Sequence, residues 1–304
     1  MTSPLATPAA PFGRVLTAMV TPFGPDGSLD LPAAQKVAAH LVDAGNDGLV
    51  VSGTTGESPT TTPDEDGRLL AAVLEAVGDR ATVIAGVGTN DTAASVRLAR
   101  QAATAGAHGT LLVSPYYNKP PQAGLLRHFE TVVEAGDLPV MLYDIPGRTN
   151  VRIAPQTYTE VAADPRVVAV KDAVGDIAGG SWVMAETGLA LYSGDDALNL
   201  AWLTHGAAGV VSVVAHVAGA DYAAMVAAVD EGRVDDAVGI YRRLLPAVGA
   251  IMSATTQGVI TAKACLQLLG VLEHRTVRSP LVDATDDEVA ALRAALGASN
   301  LLEV

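Results

Sequence analysis

Eight times along this chain a short apolar run gives way to a longer Ala/Leu-rich stretch of helical spacing. The runs are "VLTAMVTPF" (15 to 23), "GLVVSGTTGE" (48 to 57), "TVIAGVG" (82 to 88), "GTLLVSPYY" (109 to 117), "PVMLYDIP" (139 to 146), "VVAVKDA" (167 to 173), "ALYSGDD" (190 to 196) and "GVVSVVAHV" (209 to 217). They are apolar almost throughout rather than alternating, which suits strands covered on both faces. Eight β-then-α units of this kind predict an α/β fold, a closed (β/α)8 TIM barrel. An open doubly wound sheet is the competing architecture. Against it, no G-x-G-x-x-G follows the first run and no G-x-x-x-x-G-K-[ST] occurs anywhere.

The stretches between the runs carry helix punctuation. "DLPAAQKVAAHLVDAG" (30 to 45) offers Asp30 as N-cap, Pro32 in the first turn and Gly45 past the end, and "DTAASVRLARQAATAG" (91 to 106) repeats the pattern with Asp91 and Gly106. Beyond the eighth run, residues 218–304 read as helix only, more than one barrel turn requires. The expected organisation is a flexible segment 1–13, the barrel through its eighth strand over 14–217, and the last barrel helix with a C-terminal helical extension over 218–304.

Composition narrows the function classes. Acidic residues outnumber Lys plus Arg by 33 to 19, for a formal charge of -14, which disfavours nucleic acid and anionic membrane surfaces as partners. The single cysteine, Cys265, excludes an intrachain disulfide and reads as core packing within "ITAKACLQLLG". Six scattered histidines without an H-x-x-x-H pair leave a metal-dependent aldolase without ligands, so no metal is expected. The N-terminus lacks the basic residues and apolar core of a signal peptide, and no apolar run approaches membrane-spanning length. The expected location is the cytoplasm.

Barrel chemistry sits at the C-terminal strand ends. There the sequence places Lys171, closing an apolar run; Tyr143, followed by Arg148; Tyr116 and Tyr117; and the turn Gly53-Thr54-Thr55-Gly56 before Glu57. A lysine desolvated in such a mouth loses some preference for its charged form, and the neutral amine condenses with a ketone to give a Schiff base. Tyr143 and Tyr117 can deliver and remove protons during that condensation. The glycine-bounded turn, with the Thr54 and Thr55 hydroxyls, can hold a small carboxylate, and the Arg148 fork suits a second one. Taken singly, each of these residues has an ordinary structural explanation: a turn, a tyrosine at a barrel rim, a solvated arginine.

Six motifs, "VSGTTGESPT", "VSPYYNKP", "LYDIPGRT", "VVAVKDA", "LYSGDDAL" and "GAAGVVSVVAHV", closely resemble the 4-hydroxy-tetrahydrodipicolinate (dihydrodipicolinate) synthase family over about residues 14 to 300. The wider family, with N-acetylneuraminate lyase and keto-deoxy sugar acid aldolases, shares the Schiff-base lysine and the Y-x-x-P tyrosine. The resemblance implies class I aldolase chemistry on pyruvate and L-aspartate 4-semialdehyde, with Lys171 as nucleophile and Thr54, Tyr143 and Tyr117 as proton relay. Tyr117 would reach into a neighbouring subunit. Thr55, Gly194 and the backbone near Val211 would surround pyruvate, and Arg148 would hold the semialdehyde carboxylate. Sialic-acid lyases lack an arginine at that place, which favours the synthase. The resemblance also implies a homotetramer built as a dimer of dimers, and no organic cofactor. A non-catalytic sensing barrel would be expected to have lost Lys171 or the tyrosines, and it has kept them. Where many relatives place lysine-binding histidines and a glutamate, this chain has Pro63, Asp66 and Ala94, although Ser58, Asn90 and Tyr116 are of the matching type. Insensitivity to lysine is expected.

Overall fold

The computed structural model describes residues 9–253 and 257–302. Eight parallel strands, β1 (Val15–Ala18), β2 (Gly48–Val51), β3 (Thr82–Gly86), β4 (Gly109–Val113), β5 (Val140–Asp144), β6 (Val167–Asp172), β7 (Ala190–Ser193) and β8 (Gly209–Ser212), pair in sequence order. Pairing of β1 with β8, Leu16 opposite Val211, closes the barrel. The expected TIM barrel is therefore present.

Helices α1 (Leu31–Asp43), α2 (Pro63–Val77), α3 (Thr92–Ala105), α4 (Gln122–Gly136), the single turn α5 (Pro146–Thr149), α6 (Pro155–Val161), α7 (Ile177–Thr187), α8 (Asn199–Thr204) and α9 (Ala215–Asp230) surround it. The expected caps are in place. Asp30 accepts the Ala33 N–H, and Asp91 accepts those of Ala93 and Ala94, satisfying amides that the first turn leaves without partners. Three further helices, α10 (Val234–Ile251), α11 (Gly258–Leu268) and α12 (Asp286–Ala298), form the extension.

The strands are shorter than the apolar runs. Residues 215–217, read as strand, begin α9 instead, because the Asp196 carboxylate after β7 accepts the N–H groups of Val213 and Val214 and the Ser212 hydroxyl, ending the ladder there. At the opposite end, residues 1–8 of the segment expected to be flexible lie outside the described residues. Within its remainder Phe12 is buried beneath the barrel. The Phe12 N–H donates to Tyr192 Oη at 3.2 Å, and that hydroxyl donates to Gly13 O at 3.0 Å. A Cβ on Gly109 would stand 2.6 Å from Phe12 Cε1, so the floor is packed shut. Among the described residues no helix is long and apolar enough to cross a membrane.

Candidate active site

Strand periodicity decides which residues face the mouth. Tyr143 on β5 pairs with Lys171 on β6, and Asp144 with Asp172. Because successive side chains alternate, Tyr143 and Lys171 point inward while the two aspartates point outward. Lys171 Nζ lies 4.5 Å from the centre of the Tyr143 ring. Lys171 is buried, and among the described residues no hydrogen bond holds its ammonium. Burial lowers its pKa to about 8; Asp196 opposes that shift and Arg148 adds to it. Tyr143 is pushed up to about 12 by the same burial, with Arg148 and the Thr54 hydroxyl opposing. A neutral phenol beside a partly neutral amine can relay a proton, taking one up as it gives another away.

Gly194 makes the lysine's space. A Cβ there would stand 2.9 Å from both Cγ and Cε of Lys171 and 2.8 Å from Asp172 O. Any other residue would displace the Lys171 side chain.

Above Tyr143 opens a cavity of about 220 Å³, walled in part by Gly53, Thr54, Ser58, Tyr116, Tyr143 and Arg148. The turn bonds Gly56 N–H to Gly53 O at 3.0 Å and Glu57 N–H to Thr54 O at 3.1 Å. They leave the Thr54 and Thr55 N–H groups without a protein acceptor among the described residues, an arrangement that suits an anion. Arg148, on α5, donates to Gln257 Oε1 at 2.6 Å.

The predicted residues do not all converge. Thr54, Tyr143 and Arg148 wall the cavity, with Lys171 and Gly194 packed against each other by Tyr143. Thr55 and Val211 are buried but form no part of that wall. Tyr117 stands away from it, 85% exposed, with its backbone in the left-handed region at φ 71°.

Sequence reasoning missed the network that fixes the turn. Glu57, at φ 58°, buries its carboxylate 2.5 Å from Lys263 Nζ of α11. The same ammonium donates to Thr276 O at 2.7 Å, and Glu57 Oε2 accepts the Arg278 N–H at 2.8 Å. The Arg278 guanidinium forks onto Glu65, holding that carboxyl down to about 2. The Phe23 ring meets both cations, its centre 4.3 Å from Lys263 Nζ and 4.2 Å from Arg278 Cζ. The C-terminal extension is thereby tied to the Gly53–Gly56 turn. The only sequence signal was a lysine within an apolar helix, which needs a buried partner.

Residues 11–299 match the model of the dihydrodipicolinate synthetase family. The chain belongs to that family. Its sequence is 61% identical over 300 residues to 4-hydroxy-tetrahydrodipicolinate synthase of Kineococcus radiotolerans, covering 99% of this chain and 97% of the relative. It is 60% identical over 294 residues to the synthase of Acidothermus cellulolyticus, covering 97% and 94%. Among family structures, dihydrodipicolinate synthase of Cyanidioschyzon merolae with lysine bound superposes with a TM-score of 0.93 at 41% identity, covering 97% of this chain and 100% of that one.

Proposed function

We propose that the chain is a 4-hydroxy-tetrahydrodipicolinate synthase, condensing pyruvate with L-aspartate 4-semialdehyde through a Schiff base on Lys171 in lysine and diaminopimelate biosynthesis. One observation carries the reading: a buried lysine with no hydrogen-bonding partner among the described residues, its pKa near 8, set at a barrel mouth beside a neutral tyrosine. Family membership supports the choice of substrates.

Lys171 Nζ attacks C2 of pyruvate, and the carbinolamine loses water to give the imine. A proton leaves C3, the enamine carbon adds to the semialdehyde carbonyl, and the product's amine displaces Lys171 on cyclisation. The nitrogen of the imine accepts the electron pair, so no organic cofactor enters. Tyr143 and Thr54 move protons at the carbinolamine and alkoxide oxygens. The Thr54–Thr55 amides hold the pyruvate carboxylate, Gly194 and Val211 bound the pocket, and Arg148 takes the carboxylate of the semialdehyde. Tyr117, exposed here, completes the relay of a neighbouring subunit in a cytoplasmic homotetramer.

Incubation with pyruvate and borohydride followed by peptide mass spectrometry tests the reading. The reduced pyruvate adduct is expected on the peptide containing Lys171. No adduct, or one on Lys36, Lys119 or Lys263 instead, would overturn it.

A further inference from the structure

A second cavity, of about 410 Å³, lies outside the barrel, between β5, β6 and β7 and helices α6 and α7. Its volume falls in the ~300–1,000 Å³ range of small-molecule sites. One end is anionic. Asp144 is wholly buried; its Oδ2 accepts the Ile153 N–H and the Tyr158 hydroxyl, each at 3.1 Å, while Oδ1 has no partner. Asp172 spends Oδ1 on the Val174 and Gly175 N–H groups, and its Oδ2 makes no hydrogen bond among the described residues. Among the described residues that line it, the one cation, Arg152, is committed to Asp176 at 2.8 Å on the rim. Val170, Val183 and Leu191 form an apolar wall, and Trp182, 38% exposed, stands at the opening.

An orphaned buried carboxylate oxygen costs about 1–3 kcal/mol. A cation entering from the cavity would relieve that cost, and the wall favours an apolar body behind the charge. We propose that this cavity binds a small primary alkylammonium ion, its charged end against Asp144 and Asp172 and its chain along Val170, Val183 and Leu191. The site stands on its own geometry and does not depend on the chemistry at Lys171.

Ionisation of Asp144 sets the pH response. Burial pushes its carboxyl up to about 7 and Asp172 raises it further, while the Ile153 N–H, the Tyr158 hydroxyl and Arg152 oppose. Asp176, paired with Arg152, is the remaining charge among the described residues lining the cavity. An ammonium selects the ionised carboxylate, so affinity rises with pH through that value. Asp144 and Asp172 directly follow Tyr143 and Lys171, so the ligand would press on the outer faces of the two strand ends that carry the reaction.

Titration calorimetry with n-pentylammonium chloride tests the proposal, with pentan-1-ol as the uncharged match. Binding is expected about fivefold or more tighter at pH 8 than at pH 6, with pentan-1-ol silent. Asp144→Asn should weaken it about tenfold and abolish the pH dependence, while Lys171→Ala should bind like the wild type. If Asp144→Asn fails to fold, Val183→Phe, which fills the cavity, should abolish binding with the fold retained by circular dichroism. No heat from the wild type, equal binding of pentan-1-ol, loss of binding in Lys171→Ala, or undiminished binding in either cavity variant would overturn the proposal.

Discussion

Two lysines lie buried in this molecule, and burial lowers the pKa of both. Lys263 meets a carboxylate at 2.5 Å, a carbonyl at 2.7 Å and an aromatic face. Lys171 meets an aromatic face and, among the described residues, no hydrogen-bonding partner. Desolvation is common to the two, so it cannot be what makes a nucleophile. The difference is the company. Both come down to about 8, but the Lys263 ammonium is held by two hydrogen bonds and an aromatic face, whereas among the described residues no hydrogen bond holds that of Lys171. Lys263 fastens the extension to the turn, and Lys171 is left free to react.

The sharpest break between them is loss of function against loss of fold. Lys171→Ala is expected to keep its unfolding midpoint within about 1 kcal/mol of the parent and to lose more than ~10⁴-fold in turnover, since the covalent route disappears. Measurable turnover near the parent rate would remove the lysine from the mechanism. Lys263→Met should do the reverse. Stranding Glu57 without its cation costs about 3–5 kcal/mol, read as a lowered denaturant midpoint, and adding Glu57→Gln should recover much of that loss. Were the double variant no more stable than the single, the ion pair would not be what holds the turn.

Arg148→Ala is a smaller cut at the same mouth. It should raise the KM for the semialdehyde about 10–100-fold while borohydride trapping with pyruvate is nearly unchanged. Equal loss in both assays would reassign the arginine to pyruvate. The pH profile sharpens the contrast further. A group titrating near 8 is ~10% neutral at pH 7, against ~0.03% for an ordinary lysine. Imine formation should therefore climb several-fold from about pH 6.5 to about pH 7.5 and level off above pH 8, as the unprotonated fraction does. The same profile should appear in Lys263→Met, and a profile that moved with that substitution would tie the two lysines together.

The smallest expected effect is that of free L-lysine. Asp66 already accepts the Thr61 hydroxyl at 2.7 Å, Pro63 opens α2 without a side-chain donor, and Ala94 offers nothing beyond its capped N–H. Initial rates at limiting pyruvate should be unchanged by millimolar lysine. Clear inhibition would show a rearranged site built around Asp66.

Local grammar carried most of the fold. The strand starts, the Asp30 and Asp91 caps and the inward placement of Lys171 all follow from spacing of two or three residues, which a chain reads without its tertiary partners. What escaped was non-local. β8 stops at Ser212 because Asp196 reaches it from the preceding loop, and Lys263 pairs with a glutamate 206 residues away. Asp144 was submerged in the apolar run that holds Tyr143, and only closure of α6 and α7 over it made its outward side a buried one. Tyr117 was legible as a tyrosine at a strand end, yet its own barrel turns it outward.

The packed floor makes the barrel a blind alley. With Phe12 and Tyr192 sealing the far end, substrates, products and, on the proposed route, the water shed on imine formation would all share one doorway. The occupant bonded deepest must enter first and be released last. The order of traffic is thus imposed by a phenylalanine at the opposite end of the barrel from any reacting atom.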